Sequence, residues 1–165
     1  MARKPYRERS DLEKLQSQWH KLSGLGSRKE WSAAVVRAAT AAEIAANFAV
    51  RTEFAKRSTF DDDFVNSLLR WANGLNGKVK NLLMPLCAAD KDKQRLMKRL
   101  LKLSAEINAV RNAVAHQGEF CNETEAEGVL AAAQSFINDL VQLYEPKFAL
   151  KKPERKSQGL VSDTP

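Results

Sequence analysis

The stretch Ile107–Phe120, INAVRNAVAHQGEF, decides how the rest of the chain is read. Ile107, Val110 and Val114 recur at three- and four-residue intervals, the spacing of one helix face, and Gly118 stands where a helix closes in left-handed geometry. Followed backwards, the stripe continues through Leu103, Leu100 and Leu96 to Asp90, a side chain suited to capping a helix N-terminus. One long helix is therefore predicted between Asp90 and Gly118. At about 100° per residue, Asn108, Arg111, Asn112 and His116 fall on a broad face roughly opposite the apolar stripe. That polar face is expected to point away from the helix's own core. Ala105, Ala109, Ala113 and Ala115 alternate with it and leave room for another helix to approach, which suits a subunit interface better than open solvent.

Outward from this helix, every strong periodic signal is helical. Leu12, Leu15, Trp19 and Leu22 predict a first helix from Asp11 to about Leu22, ended by a turn at Gly24–Gly26. Ser27 and Glu30 have the spacing of a capping box and are expected to open a long helix reaching about Lys56. Its run of alanines, Ala33 to Ala49, lets neighbours approach on several sides and marks it as central. Ser58 or Thr59 is expected to cap the next helix, Asp61–Asp63 fill its electropositive first turn, and Phe64, Leu68, Trp71 and Leu75 form its apolar stripe. A short helix from Lys78 to about Leu86 follows. Asn122 and Glu125 make a second capping box for a last helix to about Tyr144, burying Leu130, Ala133, Phe136/Ile137, Leu140 and Tyr144. No strand pattern or internal repeat is present. The plan is an all-α, up-and-down bundle of four to five antiparallel helices over residues 11–145, with a basic arm at 1–10 and a flexible basic tail at 146–165.

Composition narrows the function. A chain of 165 residues with 44% hydrophobic content can bury one core without metal or disulfide staples. Cys87 and Cys121 lie far apart, with no CxxC and no neighbouring ligand pair, so free thiols are expected. The N-terminal MARKPYRERS lacks the apolar run of a secretory signal, and Trp31–Val50 is interrupted by Arg37 and Glu43. A cytoplasmic protein with no membrane span is expected. The net charge of +7 favours an anionic partner. Basic residues gather at Arg3, Lys4, Arg7 and Arg9, between Lys78 and Lys102, and at Lys151, Lys152, Arg155 and Lys156. Lys78, Lys80, Lys98, Arg99 and Lys102 are the candidate contacts to nucleic acid.

On spacing alone, a histidine one turn before a capping glycine serves as a favourable donor at the helix end, and Arg111 as a solvated surface residue. Arg111, a polar Asn112 directly after it and His116 five residues on nevertheless resemble the signature of the HEPN superfamily of small all-helical proteins. The helical plan is similar over most of residues 11–144. The resemblance implies a homodimer through the Arg111–His116 face, whose two motifs meet in a composite cleft that cuts RNA, in a toxin or phage-defence setting. No cofactor and no metal are implied. RNA carries its own nucleophile, so Arg111 would hold the phosphate while His116 exchanges a proton with the 2′-hydroxyl or the leaving 5′-oxygen, and Asn112 orients the ring or the phosphate. Asn108 and Glu43 are placed as supports; Glu43 could pair with Arg111 or Arg37, but a structural ion pair inside the bundle is the reading favoured for a lone carboxylate on this helix. His20 has no second ligand and reads as surface.

Three other readings stand beside this one. Relatives resembling the mannitol operon repressor keep a similar bundle with a degraded motif and act by binding a partner protein. A toxin silenced by a nucleotidyltransferase antitoxin would carry a tyrosine two residues after the histidine; Gly118 occupies that position here, which leaves a different antitoxin or regulatory protein as the partner. A plain helical adaptor would dock its basic face on an acidic protein or a membrane surface.

Overall fold

The computed structural model describes residues 4–151, and the regular elements among them are all helices. After a 3-10 turn at Tyr6–Glu8 come α1 (Asp11–His20), α2 (Leu22–Ser27), α3 (Trp31–Arg57) and α4 (Asp62–Trp71). A continuous run then passes through α5 (Gly74–Lys78), a π-helical turn (Val79–Leu83) and α6 (Met84–Leu86), and leads to α7 (Lys91–Gln117) and α8 (Glu123–Gln142).

Polar ties between the long helices fix their directions. Asp11 at the start of α1 accepts from Arg51 Nε near the end of α3 at 3.1 Å, and Gln18 accepts from Arg37 Nη1 near its beginning at 2.6 Å. α1 therefore runs antiparallel to α3. Lys93 in the first turn of α7 reaches Glu53 at 2.6 Å, while the turn after α7 returns to the start of α3, where the Cys121 N–H donates to Ser32 Oγ at 3.0 Å. α7 is thus antiparallel to α3 and α8 parallel to it, which is the up-and-down order. Helix α3 is the central one, packed by α1, α7, α8 and the α5 run. Seven of its alanines are buried with at most 1% exposure, from Ala34 to Ala49, and their small side chains allow that close approach. α3 is also long and apolar enough by composition to cross a membrane, but here those residues form the bundle's interior.

α7 and α8 follow the sequence closely. Asp90 caps α7 by accepting from the Asp92 and Lys93 N–H groups, and Gly118 closes it at φ 70°, with its own N–H and that of Glu119 donating to the Ala113 carbonyl. The Asn122–Glu125 capping box forms in both directions. Both cysteines are buried free thiols.

The entry to α3 differs from expectation. Ser27 and Glu30 do not form a capping box, because Gly24–Gly26 do not end α1 in an open turn but belong to α2. α2 closes through paired bonds, Glu30 N–H to the Leu25 carbonyl at 3.0 Å and Lys29 N–H to the Gly26 carbonyl at 3.1 Å, the pattern of a Schellman motif. Ser27 instead donates to the Gly24 carbonyl, and Glu30 pairs with Arg28. The motif needs a left-handed residue, and Lys29 supplies it at φ 57°, a conformation that costs a side-chain-bearing residue energy. Lys29→Gly is therefore expected to raise the unfolding free energy by about 0.5–1 kcal/mol, read by urea denaturation; an unchanged or lower midpoint would argue against strain there.

Three further expectations are corrected. α4 is capped by Asp61, which accepts from the Phe64 N–H at 2.7 Å, whereas Ser58 donates backwards to Phe54 and finishes α3. The buried face of α4 is Val65, Leu69 and Ala72, leaving Phe64 and Trp71 exposed and Leu68 half-buried. Two apolar rows offset by one residue differ by a rotation of about 100°, and the bond from Arg51 Nη2 to Asn66 Oδ1 at 2.7 Å selects the smaller row for the core. Finally, the tail expected to be flexible from residue 146 is clamped over residues 146–151. Leu150 is buried, Phe148 accepts from Gln142, and Gln16 exchanges two bonds with the Lys151 backbone. The basic residues Arg3, Lys152, Arg155 and Lys156 lie outside the described residues.

Candidate functional site

Because α7 runs antiparallel to α3, its last turns lie along the first half of α3, beside the corner where α4 gives way to α5. Ala39 and Thr40 are small, and Gly74 takes φ 69°, so the chain turns at this corner with no side chain in the space. A polar cleft of about 260 Å³ results. Asn108, Arg111, Asn112 and His116 line it from α7, Ala39, Thr40 and Glu43 from α3, and Asn73 and Gly74 from the corner.

Arg111 organises the group. Its Nη1 lies 3.0 Å from Asn112 Oδ1 and 2.9 Å from His116 Nε2. A guanidinium can only donate, so in this contact His116 Nε2 takes the acceptor role. Arg111 and Asn108 are half-buried, and Asn112 and His116 are exposed at the rim. None of the four is buried in the core, and the face they share borders α3 and the α4–α5 corner.

The support residues divide. Asn108 joins the cleft. Glu43 joins it too, but its ion pair is with Lys78, not Arg111 or Arg37; Arg37 is committed to Gln18. Lys78 had been expected to meet nucleic acid. It is only 4% exposed, because α5 begins at Gly74 and turns the fifth residue inward onto α3. Lys80, Lys98 and Lys102 are exposed but line no part of the cleft, and Arg99 is paired with Asp139 of α8 at 2.9 Å. Lys98 and Arg99 precede Arg111 by three to four helical turns, about 18–20 Å along the axis.

Thr40, Asn73 and Gly74 were not anticipated. The Asn-Gly dipeptide is a turn signal in the sequence, but nothing local says that this turn sits against α7. On the other side of Asn73 a second cleft, of about 370 Å³, shares Glu43 and Asn73 with the first and is lined by Arg51 and Arg70. Among the described residues no three His, Cys, Asp or Glu side chains gather as a metal-binding group. Asp61, from the acidic triplet, is engaged in capping. His20 is exposed and lines a separate groove between α1 and residues 147–151.

No family model, no curated protein and no solved structure matches the chain.

Proposed function

We propose that this protein is an endoribonuclease of HEPN type that needs no metal and cleaves RNA by attack of the substrate's own 2′-hydroxyl. The observation that carries the reading is the contact of one guanidinium nitrogen with both Asn112 and the basic nitrogen of His116 at the mouth of a polar cleft. A phosphodiester entering the cleft competes for the Arg111 fork, which matches two nonbridging oxygens. His116 Nε2 is then released to take the 2′-hydroxyl proton, while Arg111 stabilises the charge that builds on phosphorus. The 2′-oxygen bonds to phosphorus, the bond to the 5′-oxygen breaks, and that oxygen takes up a proton. The products are a 2′,3′-cyclic phosphate and a 5′-hydroxyl.

In this reading two copies pair across the rim where Asn112, Ala115 and His116 are exposed, so that the second histidine donates to the leaving oxygen. A toxin or defence role fits such an activity. The test uses an RNA oligonucleotide with a single 2′-deoxy residue, incubated in EDTA. Every linkage except the one after the deoxy residue is expected to be cut, leaving cyclic phosphate ends; cleavage at the deoxy position, or 5′-phosphate products, would refute the mechanism.

One observation favours a second reading, a noncatalytic HEPN-like regulator resembling the mannitol operon repressor. Phe60 and Phe64 remain exposed outside the core, their rings 4.6 Å apart, a surface suited to a protein partner. No cleavage of any RNA offered, together with capture of a protein ligand that Phe64→Ser abolishes, would favour it.

A further inference from the structure

Trp71 is 71% exposed at the last position of α4. Exposing an indole costs hydrophobic free energy that a core position would recover, and the next residue, the smaller Ala72 that ends the helix, enters the core beside it. The other exposed aromatics of this region have ring partners, Phe60 with Phe54 at 5.9 Å and Phe64 with Phe60 at 4.6 Å. Trp71 has no ring or cation–π partner among the described residues.

Its neighbours in the chain are informative. Arg70, directly before it, lines the second cleft, and Asn73, two residues after it, lines both clefts. Two residues of chain span about 7 Å at most, roughly the step from one nucleotide to the next. Trp71 itself lines neither cleft, but it lies in the chain between Arg70 and Asn73, so a strand with one phosphate at Arg111 that continues past Asn73 towards Arg70 and Arg51 would cross the corner that carries it. The two clefts carry Arg111, Arg51, Arg70 and Lys78 against one carboxylate, Glu43, which suits a polyanion and not an apolar protein surface.

We propose that Trp71 is the stacking platform for an unpaired base next to the phosphate held by Arg111. This inference rests on the ribonuclease reading above for the identity of the strand. Stacking needs a free base face, so a duplex, whose bases are already stacked, gains nothing from the indole.

The experiment measures binding separately from cleavage. The probe is a 2′-O-methyl oligouridine of about eight nucleotides, which lacks the nucleophile, titrated in EDTA against the full chain and followed by tryptophan fluorescence and by anisotropy. The intact protein is expected to bind with quenching. Trp71→Ala should weaken binding about tenfold, and Trp71→Phe should keep most of it, while affinity for a 2′-O-methyl duplex stays unchanged in both. Because the side chain lies outside the core, both variants should retain the helical circular dichroism of the parent.

Equal affinity of Trp71→Ala and the parent for the single strand would overturn the proposal, as would no binding by the parent, or a change in sedimentation with RNA binding unaltered. Normal stacking behaviour in a protein that cuts no RNA would instead sink the ribonuclease reading and leave the platform standing.

Discussion

His116→Ala is expected to lower RNA cleavage in EDTA by a hundredfold or more, the usual contribution of a positioned proton acceptor of about 10²–10⁴. The side chain is exposed, and among the described residues its hydrogen bond is to Arg111, so the fold should be unaffected and binding of the 2′-O-methyl strand nearly so. Arg111→Ala should cost about 10²–10³ in rate and weaken binding as well, since it removes both the phosphate fork and the tie that orients His116. Arg111→Lys separates charge from geometry. A lysine keeps the positive charge but offers no planar fork and cannot reach Asn112, His116 and a phosphate together, so it should recover binding more than rate. Asn112→Ala, which removes an exposed acceptor of Arg111, should have a smaller effect than either. Cleavage by His116→Ala at the parental rate would end the catalytic assignment, whatever the other variants do.

The second large effect is on stability and centres on Glu53. Its carboxylate is 1% exposed where the ends of α3, α7 and α8 meet. It accepts from Lys93 Nζ at 2.6 Å, from the Tyr144 hydroxyl at 2.9 Å and from Arg57 at 3.0 Å. Lys56 and Lys93 also lie over the Tyr144 ring, at 5.1 and 5.4 Å. Burial chiefly, then the neighbouring Cys87 and Glu53, push the Tyr144 hydroxyl far up, so it remains a donor. Glu53→Ala strips these donors of their common acceptor beside the buried Cys87 and should cost about 3 kcal/mol, towards the low end for a broken buried pair because Lys93 and Arg57 can still reach water. Glu53→Gln keeps an acceptor and should cost less.

The pH dependence has a definite sign. Burial alone would raise the Glu53 carboxyl, but the hydrogen bonds from Lys93 and Tyr144 and the charges of Lys93 and Arg57 outweigh it and hold the group below its ordinary 4.5. A depressed carboxylate stabilises fully above the unfolded-state value and loses that contribution as pH falls through the folded one. Urea unfolding should therefore show a constant gap between the parent and Glu53→Gln at neutral pH that closes in acid below about pH 4.5. A gap that widened in acid would contradict the assignment.

Nothing in the sequence distinguishes Glu53, since a glutamate near a helix end is ordinarily solvated; only where α3, α7 and the end of α8 converge does it become an acceptor for Lys93, Arg57 and Tyr144. Glu43 shows the same from the other side. Its need for a partner is readable in the sequence, but the partner is not: Lys78 reads as a contact to nucleic acid until the turn at Gly74, which periodicity does not locate, brings it onto α3.

Where the deciding interactions lie within a few residues of each other, the amino-acid order was sufficient. The caps at Asp90 and Asn122, the left-handed stop at Gly118, the alanine-rich centre and the placing of Arg111, Asn112 and His116 on one helix all follow from bonds and spacings inside one element. Where two local solutions had similar energies, only tertiary packing chose between them. Ser27 and Glu30 carry the same box pattern as Asn122 and Glu125, yet Leu25–Glu30 close α2. Phe64 and Trp71 make as good a stripe as Val65 and Leu69, yet the tie to Asn66 turns the other row inward. The cleft belongs to this second class, because Thr40, Asn73 and His116 come from three distant segments. Their meeting depends on how α7 and the α4–α5 corner settle on α3, a choice set by long-range burial and not by any short-range preference.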